Sequence, residues 1–338
     1  MNRLRFSASI VLVSMLAAVL SDAEAVAQEA SRRYAVLIGG LGGTEAHTAA
    51  FQRYLLDTRR ALVDYAGYRA EDVVVLAESE GAEFVTGISS AENVRTRFEA
   101  LASEARPNDQ VLVILFGHGS YDGERAYLNI PRRDLSDADY AALLDALPVE
   151  HVVFVNTASA SAPFAQSLSA PGRIVITATR TATQRNETVF PRFFVEALGD
   201  AGDLDKDGNL SIREVFTYAA EQTNRHFEVD GNVPTEHALL EDTGDGEGHR
   251  LEELEEAGEG NLAGVTYLRR RDAALALANA PRDSPLGQMV LERERLERSV
   301  AELKSQKSSL DEDEYYARLE ALFIELARLN DRIETLVQ

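Results

Sequence analysis

Two stretches of the chain carry residue types whose spacing suits chemistry. The first is DLDKDGNLSIRE, residues 203–214. Asp203, Asp205 and Asp207 alternate, Gly208 follows in sixth place, Asn209 in seventh, Ser211 in ninth and Glu214 in twelfth. Alternate residues of such a loop turn oxygens inward around a hard cation. Three aspartates, the Asn209 backbone carbonyl, a direct or water-mediated contact from Ser211 and a bidentate Glu214 make the set. Gly208 permits the sharp turn, and Leu210 in eighth place is an apolar anchor. Without an ion the four carboxylates would repel one another, so the spacing asks for Ca2+. The second place is a pair of strand ends. VILFGHGS (113–120) carries His118 between glycines, and FVNTASASAPF (154–164) ends in small residues. A histidine acts as a base only on a nucleophile within hydrogen-bond reach. The chain has no cysteine at all.

The elements that must position these residues follow from hydrophobic pattern. YAVLIGG (34–40), DVVVLAE (72–78), QVLVILF (110–116), HVVFVN (151–156) and RIVITAT (173–179) are continuous apolar runs. Runs without alternation indicate strands buried on both faces, hence a mostly parallel sheet with helices covering it. Helical spacing over 47–66, 91–105, 137–147 and 190–198 supplies the covering layers of an α/β, three-layer sandwich. Ligands of such sheets sit outside the carboxyl ends of strands. His118 and the segment 156–161 both stand there. Around the acidic loop, FFVEALGDAG enters and REVFTYAAEQT leaves as helices, as an EF-hand requires.

The ends of the chain read differently. MNRLRF followed by SASIVLVSMLAAVL and AEAVAQ is the pattern of a signal peptide over 1–27, cut after Ala27, so the protein is expected to be exported to a periplasm or the outside. The main domain is expected over 30–240. Residues 241–283, acidic and rich in glycine, read as a linker. Within them DTGDGEG (242–248) is half of a metal-binding pattern and reads as a flexible acidic turn. Leu286, Met289, Leu296, Val300, Leu303 and Leu310, with polar Arg293 and Lys307 at two intervening seam positions, then Tyr315, Leu319, Leu322, Leu326, Leu329, Ile333 and Leu336, step by three and four. They predict an antiparallel helical hairpin with a coiled-coil seam over 284–338, suited to structural packing or self-association. A net charge of −22 over 338 residues disfavours nucleic acid and anionic membranes as partners.

YAVLIGG, then FGHGS at the end of the third strand, then an apolar strand running into a small-residue loop, together resemble the caspase-like superfamily of cysteine peptidases, closest to the legumain branch and its bacterial relatives. The resemblance covers roughly residues 33–225. It implies that His118 is the base, that the Gly119 amide helps hold the oxyanion, and that the nucleophile position is Ala158. A methyl group cannot attack a carbonyl, so the covalent route of the family is closed. Ser159 and Ser161 flank the position, and no third group orienting His118 is evident, although Asn156 is near in the same strand. Arg180 and Arg185 fall where the fold's relatives build specificity loops and read as solvated or paired with Glu187. Three functions follow. The favoured one is a calcium-binding pseudopeptidase that holds a peptide or protein without cleaving it. The others are a peptidase using a serine near 159–161 with His118, and a calcium-binding structural protein with an idle groove.

Overall fold

The protein is described by a computed structural model over residues 32–229, 231–269, 284–307 and 310–337. The segment read as a signal peptide, 1–27, lies outside the described residues. The chain enters through β1 (Arg33–Gly39) and α1 (Glu45–Arg60), which continues through a π turn over Ala61–Tyr65. Next come β2 (Val73–Ala77), β3 (Gly87–Ile88), α2 (Ala91–Glu104) and β4 (Gln110–Phe116). Three short strands, β5 (Gly119–Tyr121), β6 (Ala126–Leu128) and β7 (Leu135–Ser136), make a small antiparallel sheet beyond the end of β4. Then follow α3 (Asp137–Asp145), β8 (His151–Asn156), α4 (Pro163–Leu168), β9 (Arg173–Thr177), α5 (Phe190–Ala197), β10 (Leu210–Ser211), α6 (Ile212–Val229) and β11 (Leu239–Glu241).

The central sheet has seven strands in the order β11-β9-β8-β4-β1-β2-β3. All neighbours pair in parallel except β11, which runs antiparallel along β9. The unbroken apolar runs are explained by two cores. On β4, Leu112, Ile114 and Phe116 join Leu55 of α1, Phe190 and Phe194 of α5 and Phe216 of α6. Val111, Val113 and Leu115 point the other way, to Val94 and Phe98 of α2, Tyr140 of α3 and Phe164 of α4. Burying each such side chain is worth about 1.5–3 kcal/mol, so every residue of the strand is held in register from one side or the other. Side-chain caps fix where the helices begin: Thr44 accepts from the His47 amide, Ser90 from that of Asn93, and Ser136 forms a reciprocal capping box with Asp139.

The linker expected over 241–283 is folded structure as far as residue 269. Glu241 ends β11 in the sheet, α7 (Leu254–Ala257) and α8 (Asn261–Val265) follow, and β12 (Tyr267–Arg269) pairs antiparallel with β10. An acidic residue does the organising. Buried Asp242 accepts from the amides of Gly260 and Ala263, while Leu254, Ala263 and Leu268 fill the first core. Residues 270–283 lie outside the described residues.

Two long helices close the chain, α9 (Pro285–Ser305) and α10 (Glu312–Val337). They pack on each other through Leu296, Leu329 and Ile333, flanked by Leu286, Met289, Leu322 and Leu326. α9 also packs against α8, so the pair leans on the body of the protein. No helix among the described residues is long and apolar enough to cross a membrane.

Candidate functional site

β4 and β8 are adjacent and parallel, and their carboxyl ends bring Gly117–Gly119 beside Thr157–Ser159. The close approach explains one glycine directly: a Cβ on Gly119 would lie 2.0 Å from the Ser159 carbonyl oxygen. Gly117 likewise faces Gly40, whose Cα would be 3.2 Å from an added Cβ. Both glycines therefore serve backbone packing at the strand ends.

The loop after β8 is tied down atom by atom. Asn156 Oδ1 accepts from the Ala158 amide at 3.0 Å, so Asn156 shapes the turn and does not orient His118. Ala158 is fully buried and belongs to the core cluster shared with Phe154 and Phe164. Ser159 Oγ accepts from the Gly119 amide and donates to the Gly119 carbonyl, each at 3.1 Å. The amide assigned to an oxyanion is thereby engaged by a serine hydroxyl. Ser161 Oγ, buried, takes the amides of Ala178 and Thr179 at 3.1 and 3.2 Å and pairs with the Thr179 hydroxyl at 3.1 Å. Between them Ala160 sits at φ +52°, a left-handed conformation that costs a non-glycine residue roughly 1–2 kcal/mol. Its amide donates to the Gln184 carbonyl, which anchors the turn.

His118 turns toward α1. Its Nε2 lies 3.2 Å from His47 Nδ1 and 3.3 Å from the Gly42 carbonyl. Its ring meets Phe51 edge-on, with centroids 5.2 Å apart. His47 Nε2 is 3.0 Å from Glu187 Oε2. One placement of protons satisfies the row: His118 Nε2–H donates to His47 Nδ1, and His47 Nε2–H donates to Glu187. That placement leaves His118 Nδ1 unprotonated. Among the described residues neither Ser159 nor Ser161 hydrogen-bonds to His118. The arrangement thus holds an oriented imidazole that neither serine reaches. His47 and Glu187 come from 71 residues before and from the loop after β9, and no local spacing announces the meeting.

Glu187 pairs with His47, and among the described residues with no arginine. Arg185 donates to the Tyr121 carbonyl at 3.1 Å, and the Arg180 amide donates to Gln184 Oε1 at 2.7 Å, with both arginine side chains exposed. Beneath this loop, Glu236 accepts from the amides of Val189 and Phe190 at the start of α5, and burial pushes its carboxyl up to about 7.

The loop 203–214 joins α5 to α6. Lys206 at φ +61° and Gly208 at φ +87° make its turn, and buried Leu210 anchors it in the first core. Oxygens of Asp203, Asp205 and Glu214 come within 4.8 Å of one another. Asp203 Oδ1 is buried there without a hydrogen-bond partner. Asp207 accepts instead from the Asn209 amide, at 2.7 Å, and from its side chain. Glu214 accepts from the amides of Leu204 and Ser211, which closes the loop on itself. Three convergent carboxylates and one orphaned buried oxygen fit a hard divalent cation. β10 emerges from the loop and pairs with β12.

No protein-family model matches the chain, and no curated protein matches it.

Proposed function

We propose that the chain is an exported, calcium-binding pseudopeptidase of the caspase-like, legumain-related kind, which holds a peptide or protein at the ends of β4 and β8 without cutting it. One observation carries this reading: where the resemblance calls for a nucleophile there is buried Ala158, and the hydroxyls on either side are spent on backbone partners. His118 supports a retained binding role, because two side chains from distant segments keep its ring in one orientation with Nδ1 as an acceptor. A peptide amide is a natural donor to that nitrogen. Calcium, held by Asp203, Asp205, Asp207, Asn209 and Glu214, would steady the α5–α6 connection by neutralising its carboxylates. The exposed stripe Tyr316, Phe323, Ile324 and Ala327 on α10, with half-buried Leu319 at its edge, supports pairing with a second copy.

The binding half of the proposal is tested by selecting peptides from a displayed library on the purified protein. Selected peptides should lose at least tenfold in affinity on His118→Ala. Peptides whose binding ignores that substitution, or a selection that yields none, would count against a surviving groove.

A further inference from the structure

The turn after β11 gathers carboxylates that neither the strand-end site nor the loop 203–214 uses. Glu241 is fully buried at the end of β11, and Glu259, ahead of α8, is 2% exposed. Between them the chain passes through Gly244 and Gly246 at φ +84° and +86°, conformations open to glycine. The turn folds back on Ala170 and Pro171, so that a Cβ on Gly244 would lie 3.1 Å from the Pro171 nitrogen. One oxygen each of Glu241, Asp245 and Glu259 then lies within 4.8 Å of the others.

Existing hydrogen bonds leave buried atoms over. Glu241 Oε1 accepts from the Gly244 amide at 2.6 Å, whereas Oε2 is buried with no partner. Glu259 accepts from the Asp242 amide and the Thr243 hydroxyl, at 2.7 and 3.0 Å. His249 Nδ1, 3.8 Å from Glu259 Oε1, is also buried without a hydrogen bond. Asp242, whose two oxygens each hold a backbone amide, is not one of the three groups whose oxygens converge. Among the described residues no lysine or arginine forms an ion pair with Glu241, Asp245 or Glu259. Carboxylates desolvated together with no cation beside them are costly unless something neutralises them.

We propose that Glu241, Asp245 and Glu259 form a second divalent-cation site, of the oxygen-ligated calcium class, that pins the 242–260 segment to the edge of the central sheet. The orphaned Glu241 oxygen supplies a free ligand atom inside, and exposed Asp245 leaves the side through which the ion and its waters enter. Carboxylates completed by water are the donor set of a hard cation. The site shares no residue with the loop 203–214.

Calcium stoichiometry by native mass spectrometry, with affinities by calorimetry, tests this on the full chain. A double variant, Asp203→Asn with Glu214→Gln, removes the loop site. It should still bind one calcium, and adding Asp245→Asn or Glu259→Gln should weaken that ion at least tenfold. Asp245 is exposed, so its substitution leaves the fold intact, which circular dichroism checks. A double variant that binds no calcium overturns the proposal, as does residual binding indifferent to Asp245 and Glu259. Tighter binding of Zn2+ or Mn2+ at this place, with His249→Ala weakening it, overturns the calcium class. A wild-type chain with a single calcium, removed by Asp245→Asn and untouched by the double variant, upholds this site and defeats the calcium reading of the loop.

Discussion

Ser161 is the side chain on which the strand-end loop most depends. Removing its hydroxyl strands the buried Thr179 amide, while the Ala178 amide keeps the Asn156 carbonyl and the Thr179 hydroxyl keeps the Ala162 amide, and a buried group left unsatisfied costs about 1–3 kcal/mol. Ser161→Ala should therefore lower stability in urea denaturation by about 1–3 kcal/mol. Ser159→Ala, which frees only the partly buried Gly119 pair, should cost less. A reversed order would contradict the structural duties assigned to them. Glu236 gives a second test. Its folded carboxyl titrates at about 7 against 4.5 when unperturbed, so the folded state holds the proton more tightly than the unfolded chain. Its contribution is full below about pH 4.5 and is lost as pH rises through about 7. The stability of the wild type relative to Glu236→Gln should thus fall by about 1–3 kcal/mol between pH 5 and 8. A difference that is flat or rises with pH would refute the assignment. At this scale the acidic loop is marked in the sequence by its own spacing, whereas Gly119, Ala158 and the role of His118 are singled out by the resemblance to the caspase-like superfamily. The sequence did not disclose His47 or Glu187, whose partnership exists only after α1 and the loop following β9 are brought to the same strand end.

The elements were legible wherever burial is two-sided. β1, β2, β4, β8 and β9 each lie within two residues of the apolar runs that predict them, since both faces of the sheet demand the same residue types. The segment 241–269 was opaque for the opposite reason. Its strand is three residues long, and part of its acidic character comes from Glu241, Asp242 and Glu259, which accept backbone amides inside the fold. β12 matters most here, because it gives the loop 203–214 a strand partner through β10. The Ile212 amide also donates to the Thr266 carbonyl at 2.9 Å. Calcium bound at 203–214 should then slow hydrogen exchange at Leu210–Ile212 and also at Tyr267–Arg269, by about tenfold as local opening is suppressed. Protection confined to 203–209 would mean that the loop is uncoupled from β12.

On the scale of the whole molecule, a mostly parallel sheet with covered faces carries at one end an oriented histidine that neither Ser159 nor Ser161 reaches. The final helices lean on the body through α8. The heptad-like spacing made the seam between α9 and α10 readable, but not the second stripe on α10, because Tyr316 and Phe323 fall one position beyond Tyr315 and Leu322. If that stripe meets a second copy, sedimentation should show a dimer that Phe323→Glu dissociates; a wild type that is monomeric up to high micromolar concentration would exclude this pairing. The claim on which the account turns is that binding survives without chemistry. Its most direct test is turnover of a diverse fluorogenic peptide library by the purified protein, with and without calcium, beside His118→Ala. The account predicts no cleavage above the His118→Ala control in either condition. Cleavage that disappears in that control would contradict it and return Ser159 and Ser161 to consideration as nucleophiles.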